Sequence, residues 1–233
     1  MQQAALTRLF GRFRRAGGAR LHDPSLTRTM MRLHLVRMTR DGTLFMIVIM
    51  CLLFGTLLLG VPETGASNAG IVVLVLPVAV VGQWMVSDRP NLWLVAVSGQ
   101  RPESFFRGWW LGLGVFIAAI GVVLSLLPSI VLGTLDPVTP VVLAGAALGS
   151  VALMIVGAAK WPYNPSALSV RPFLHFLLGG LGAGMGAAPV LAAVFLGFFV
   201  APAIAPLAGI AMLAVVAVLC DRIVVLGAAK PEV

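Results

Sequence analysis

Long apolar segments, separated by short polar ones, dominate the hydrophobic pattern of this chain. Six segments of 17 to 28 residues are almost free of charged side chains. A helix that crosses the ~30 Å hydrocarbon core of a bilayer needs about 20 mostly apolar residues. The pattern therefore predicts an all-α integral membrane protein with six transmembrane helices. The predicted spans are residues 44–61, 70–86, 108–132, 140–159, 173–200 and 201–220.

The rest of the chain is too short to hold a separate soluble domain. It comprises an N-terminal segment (1–43), short loops and a tail (221–233). The boundary between the last two spans is the least defined, because residues 173–220 are apolar throughout and are interrupted only by prolines. Proline breaks the helical hydrogen-bond ladder, which favours two helices with a tight turn near 201–206. A re-entrant segment at that turn also fits the pattern.

The composition excludes a water-soluble globule. Hydrophobic residues make up 60% of the chain and charged residues 10%, whereas a soluble domain has about 25% charged residues. So few polar groups cannot cover a globular surface. Disorder is excluded as well, because disordered segments have low hydrophobicity.

The basic residues predict the orientation of the spans. The chain has 16 Lys and Arg against 8 Asp and Glu. All 16 fall in the N-terminal segment, in the loops after the second and fourth predicted spans, or in the tail, which share one side of the membrane. The loops on the other side carry only Glu63 and Asp136. Since basic residues concentrate in cytoplasmic loops, both termini are expected in the cytoplasm.

The same charges bear on partners and location. The positive-inside rule accounts for them without a nucleic-acid partner, so no nucleic acid is expected to bind. Lys160 and Lys230 are the only lysines. This bias towards Arg, together with abundant Ala and Gly, indicates a GC-rich genome and favours the bacterial inner (plasma) membrane.

The start of the chain has the pattern of a helix that lies on a membrane. Four apolar side chains recur at helical spacing and three arginines lie on the opposite face, which is typical of a helix on an anionic membrane surface. The apolar positions are Leu6, Leu9, Phe10 and Phe13, and the basic ones are Arg8, Arg12 and Arg15.

A second helix is predicted further along the N-terminal segment. It is expected to begin at Asp23-Pro24, which serve as N-cap and first helical residue, and to end near residues 41–42. Arg37 interrupts its apolar stripe, which consists of Leu26, Met30 and Leu33.

Several kinds of chemistry lack the residues that they need. The two lysines do not stand in a Gly-Lys-Ser/Thr motif, so the chain is not itself a P-loop ATPase. The three histidines have no metal-ligand spacing and are expected at polar interfaces rather than in a metal site. The glycine-rich run 179–186 lies inside an apolar span, where it is expected to let helices pack closely rather than to bind a dinucleotide.

Charged residues are also missing from the interior of every predicted span. Ion-coupled transporters and intramembrane enzymes place ionisable groups near the middle of the membrane. Their absence disfavours both classes, and it predicts a chain without catalytic activity of its own.

The longest internal loop, residues 87–107, reads SDRPNLWLVAVSGQRPESFFR. Residues 91–98 are apolar but too few to span a membrane, a turn follows, and residues 103–107 open a helix that continues into Trp109 and Trp110. We expect a short helix at the cytoplasmic surface here. An amphipathic connector anchored by tryptophans is the alternative that the sequence leaves open.

Three segments resemble the membrane subunit of exporter-type ABC transporters. Residues 34–45 (HLVRMTRDGTLF) are similar to the stretch that leads into the first span of those permeases. Residues 87–108 are similar to their coupling loop, and residues 161–173 (WPYNPSALSVRPF) to a loop after the fourth span. The resemblance implies six spans, a short cytoplasmic coupling helix and an N-terminal elbow helix with Arg8, Phe10, Arg12, Phe13, Arg15, Arg37 and Arg40.

The resemblance also implies partners. A separate cytoplasmic ABC ATPase would bind the ATP and push on the coupling loop, so this chain is expected to hold no cofactor and no metal. Many related permeases are twice as long, with two such halves fused. The resemblance therefore implies that this chain pairs with a second copy of itself or with a sister permease to form an exporter. The residues expected at the ATPase are Asp88, Arg89, Pro90, Asn91, Trp93, Arg101, Glu103, Phe105, Phe106 and Arg107.

The sequence leaves a second function open. In this alternative the chain is a noncatalytic membrane scaffold or assembly factor, and its helices pack against a larger membrane complex.

A reporter enzyme fused at Asp136 tests the predicted orientation. Because residues 133–139 form a loop on the side without basic residues, a reporter active only outside the cytoplasm should be active at Asp136 and inactive after Val233. A cytoplasmic signal from Asp136 would contradict six spans with both termini inside.

Overall fold

The computed structural model describes residues 24–40, 101–131, 137–161 and 171–227, with Val81, Val95 and Val97 as isolated helical residues. The predicted surface helix near the start of the chain lies outside these residues, and so do the first two predicted spans apart from Val81. Within the described ranges the regular elements are five α-helices: α1 (Pro24–Arg40), α2 (Pro102–Val131), α3 (Val138–Lys160), α4 (Arg171–Val200) and α5 (Ala205–Gly227).

Helices α2 to α5 are long and apolar enough to cross a bilayer. The shortest of them, α3 and α5, have 23 residues and extend about 34 Å at 1.5 Å per residue, which exceeds the ~30 Å hydrocarbon core. The described part of the chain is therefore that of an α-helical integral membrane protein, as its hydrophobic pattern predicts. α1 has 17 residues and is not a candidate span.

Two local predictions are confirmed. α1 is helical over Pro24–Arg40, within the helix predicted from Asp23-Pro24 to near residues 41–42. The long apolar run is divided by a tight turn at residues 202–204, where the N–H groups of Ala201 and Ile204 donate to the carbonyls of Gly197 and Ala201. Pro189 lies inside α4 without ending it.

Two other helix ends differ from the predicted spans. α2 begins at Pro102, before the predicted span start at 108 but within one residue of the helix start predicted at 103, because proline suits the first turn of a helix and the Ser104 N–H bonds the Arg101 carbonyl there. α5 continues to Gly227, past the predicted end at 220. A hydropathy pattern ends a span at its first charges, whereas the helical backbone continues through them.

Helix α3 lies at the centre of the bundle. It contacts α2, α4 and α5, and its buried positions extend from Pro140 to Ala159. A helix that is apolar on every side is typical of such a central position. The faces of α4 and α5 that turn away from α3 are mostly exposed.

Glycines bring α3 and α4 into backbone contact. Gly145 and Gly149 on α3 face Gly186 and Gly182 on α4, and a Cβ on any of the four would overlap the backbone of the facing helix. Each pair is spaced by four residues, an arrangement that permits close approach of helices in membranes. The close packing predicted for residues 179–186 is confirmed. Because the numbering of the facing glycines runs in opposite directions, α3 and α4 are antiparallel.

The charged residues of the four spanning helices lie at one end of the bundle. α5 runs parallel to α3, since Gly209 lies by Val141 and Gly227 by Val156. α3 and α5 therefore end where α4 begins, and α2 begins there too. We name this the charged end, which in the described residues 101–131, 137–161 and 171–227 carries Arg101, Glu103, Arg107, Lys160, Arg171, Asp221 and Arg222.

Alanine at Gly182 is expected to destabilise the chain, whereas alanine at Gly184 is not. A Cβ at Gly182 would overlap the Gly149 backbone, so the helices must separate, at a cost of about 1–3 kcal/mol. A Cβ at Gly184 meets no atom within 4 Å, and alanine favours the helix by up to about 1 kcal/mol. Thermal unfolding in detergent should give a lower midpoint for Gly182→Ala only; equal midpoints would contradict the close contact.

Candidate functional site

An ion pair joins two spanning helices at the charged end. The Nε atom of Arg107 on α2 lies 2.6 Å from Oδ1 of Asp221 on α5 and donates a hydrogen bond to it. The two side chains are 38% and 18% exposed, respectively. The pair connects residues that are 114 positions apart in the sequence, so it depends entirely on the fold.

The ion pair lies within helices of membrane-spanning length. At 1.5 Å per residue, Arg107 is about 8 Å from the start of α2 and Asp221 about 9 Å from the end of α5. Both residues lie in the end turns of their helices, just outside the predicted spans 108–132 and 201–220, so they do not contradict the expectation that the interior of the spans lacks charged residues. Opposite charges are tolerated in such helices when they pair with each other, which a hydropathy pattern does not take into account.

Helix α1 packs against the first turns of α2. The Thr27 hydroxyl donates a hydrogen bond of 3.2 Å to the Ser104 carbonyl. A Cβ on Gly108 would lie 2.6 Å from the Met30 Cβ, so glycine is needed for this approach. His34 packs one turn further along, against Trp109 and Gly112. Residue numbers increase in the same direction along the contacting faces of both helices, so α1 and α2 are parallel.

Aromatic side chains fill the core beneath the charged end. Phe105, Phe106, Trp109 and Trp110 are at most 3% exposed. Trp109 stacks on Phe105 with ring centroids 5.9 Å apart and meets the His34 ring edge-on at 4.9 Å. The Trp110 indole N–H donates to a carbonyl of α3 at 3.3 Å. Phe105 and Phe106, which the sequence places at the ATPase, lie in the chain's own core.

The remaining residues predicted for the coupling loop divide into two groups. Arg101 is exposed just before α2, while Glu103 and Arg107 in its first two turns are partly buried. The others lie outside the described residues: Asp88, Arg89, Pro90, Asn91 and Trp93.

The predicted elbow residues are described only in part. Arg40 is exposed at the end of α1, and Arg37 is helical but its side chain lies outside the described residues. The other predicted elbow residues lie entirely outside the described residues: Arg8, Phe10, Arg12, Phe13 and Arg15.

Sequence reasoning missed two residues of this site. The predicted spans leave Asp221 in the tail, although the apolar run Ile-Val-Val-Leu at 223–226 is a signal that the helix continues past it. The sequence favours a polar interface for His34, but this residue is 1% exposed and continues the buried row of Leu26 and Met30 at spacings of four residues. That spacing is the signal that places it on the packed face.

Neither a metal centre nor a family relationship adds to this picture. Among residues 24–40, 101–131, 137–161 and 171–227, no group of three His, Cys, Asp or Glu side chains is placed to hold a metal ion.

Comparison of the chain with protein-family models, curated proteins and solved structures finds no match. The resemblance to ABC permeases therefore rests on the residues of this chain alone.

A double-mutant cycle measures the contribution of the ion pair. Arg107→Gln and Asp221→Asn should each lower the unfolding midpoint, because each leaves an unpaired charge between helices. The double variant should lose less free energy of unfolding than the sum of the losses of the two single variants, and the difference, the coupling free energy, should be about 0.5–3 kcal/mol.

The matched control is Arg222→Gln, which removes an exposed charge next to Asp221 and should leave the midpoint unchanged. Strictly additive losses in the cycle would mean that the two charges do not interact in the folded chain.

Proposed function

We propose that this chain is the membrane subunit of an ATP-driven export system whose ATPase is a separate cytoplasmic protein. The proposal takes over the finer expectations of the sequence: six spans, both termini in the cytoplasm of a bacterium, and a second copy or sister permease. It draws on the resemblance of residues 34–45, 87–108 and 161–173 to ABC permeases.

The packing around the start of α2 is the observation that supports this proposal most directly. Residues 87–101 lead straight into α2, and its first turns contact three other helices. Ser104 bonds α1, Arg107 pairs with α5, and Trp110 bonds α3. A simple connector needs no such contacts, whereas a segment that receives a mechanical push must be tied to the helices it moves.

The mechanism follows from these contacts. The partner ATPase binds and hydrolyses the ATP and displaces the loop before α2. Arg101, exposed at the end of that loop, supplies a charged contact to the partner. The buried aromatic cluster makes the first turns of α2 stiff, so the displacement passes to α1 and α3 by packing and to α5 through the ion pair. The apolar spans suit an apolar or amphipathic cargo.

The scaffold alternative has its own supporting observation. Most of the surfaces of α4 and α5 are exposed in this chain, and a larger membrane complex would cover them. Lipid covers such faces equally well, so this observation weighs less than the contacts of α2.

An ion-coupled transporter is less well supported. The charges of Arg107 and Asp221 lie within spanning helices but neutralise each other, which leaves neither free to carry a coupling ion. Cargo transport by proteoliposomes that contain this chain without any ATPase would favour that class over the proposal.

Capture of a partner ATPase tests the proposal. The tagged chain, solubilised from its native membrane in mild detergent, should bring down a protein with a Walker A motif. The charge exchange Arg101→Glu/Glu103→Arg should lower the recovered ATPase about fivefold or more, the effect of losing one interface contact above 1 kcal/mol.

The control for this experiment is Arg222→Glu, an exposed charge at the same end of the bundle but on α5, which should recover the ATPase normally. Capture of no ATPase by the native chain would favour the scaffold. Equal capture by the native chain and the charge exchange would contradict the role given to Arg101 and Glu103.

A further inference from the structure

Helix α1 has two faces of opposite character. Leu26, Met30 and His34 are at most 4% exposed and pack against α2. The opposite row begins with Arg28 and Arg32, both exposed. Residues four apart on a helix are neighbours about 6 Å apart along its axis. The two guanidinium groups therefore project side by side, away from the bundle.

These two arginines have no counter-charge on their own helix. α1 contains no Asp or Glu, and Asp23 and Asp41, which flank it in the sequence, lie outside the described residues. The one carboxylate of the described residues that forms an ion pair with another of them, Asp221, is bound to Arg107. Arg28 and Arg32 form no ion pair with any residue of the described ranges.

The contacts of α1 place the arginine pair beside the first turns of α2. Thr27 and Met30, which flank Arg28, touch α2 at Ser104 and Gly108. Glu103 and Arg107, the charged residues of α2, lie in the first turns of the same helix. In a bilayer spanned by α2, lipid headgroups are expected beside this end of the helix.

We propose that Arg28 and Arg32 form a binding surface for the phosphate groups of anionic phospholipids. A guanidinium group presents a planar fork of donors that matches the oxygens of a phosphate. A lipid with net negative charge satisfies both arginines, whereas in a zwitterionic lipid the ammonium group is repelled by the second arginine. This surface is independent of the proposed function, because it applies to a permease and to a scaffold alike.

Charge complementarity and position together favour lipid over an acidic protein. The pair lies on a helix that packs along the start of a candidate spanning helix, so in a bilayer spanned by that helix the lipid headgroups are near neighbours of the two arginines. Basic residues of a helix at the membrane surface attract anionic lipids by about 1 kcal/mol each, which corresponds to roughly a fivefold preference per residue.

Native mass spectrometry of the purified full chain, titrated with phosphatidylglycerol or phosphatidylcholine, tests this proposal. The native chain should bind phosphatidylglycerol more tightly than phosphatidylcholine. Arg28→Gln/Arg32→Gln should weaken phosphatidylglycerol binding about 25-fold, the product of two fivefold effects, and leave phosphatidylcholine binding unchanged. Arg28→Lys/Arg32→Lys, which keeps the charge but loses the fork, should retain part of the preference.

The matched control is Arg101→Gln/Arg222→Gln, which removes two exposed charges from the same end of the bundle but not from α1. It should keep most of the preference, and an equal loss in both double variants would overturn the proposal in favour of diffuse attraction. An unfolding midpoint equal to that of the native chain verifies the fold of each variant, and the lysine pair keeps the proposal testable if the glutamine pair is unstable.

Inorganic phosphate separates the two sources of the anion. It should not displace phosphatidylglycerol at the same concentration, and displacement would overturn the membrane assignment in favour of a site for free phosphate. A native chain that binds phosphatidylglycerol no more tightly than phosphatidylcholine would also overturn the proposal. That result would favour an acidic protein as the partner of the two arginines.

Discussion

The backbone contact between α3 and α4 is the constraint on which the rest of the bundle depends. In a bilayer, apolar side chains gain little by leaving lipid for protein, so helices associate through close packing. Four glycines remove the side chains that would hold the two helices apart. With α4 this close, α3 becomes the central helix against which α2 and α5 also pack.

Electrostatics adds a second tie, at one end of that bundle. Because α4 is antiparallel to α3 and α5 is parallel to it, the starts of α2 and α4 lie beside the ends of α3 and α5. The charged residues of these helices are therefore close together. Arg107 and Asp221 neutralise each other across α2 and α5, while Arg28 and Arg32 of α1 are exposed. At this end of the molecule the start of α2 therefore contacts three other helices, and α1 carries an exposed basic pair.

The candidate site was predictable only in part. The composition of residues 87–107 drew attention to the start of α2, and proline explains why a helix begins at Pro102. The sequence could not show that Phe105 and Phe106 face inward, since any aromatic residue near a loop also suits an interface. Nor could it pair Arg107 with Asp221, because that contact requires two helices distant in sequence to meet.

Hydrophobic length and local capping were enough to predict what depends on near neighbours in the chain: the spans that correspond to α3 and α4, the turn at 202–204, and the helical conformation of α1. The pairing of Arg107 with Asp221 and the contact of His34 with Trp109 depended on the folded chain. The physical reason is the same in each case. A charge or a polar ring is costly in an apolar surrounding when it is alone, and only the packing of helices supplies its partner.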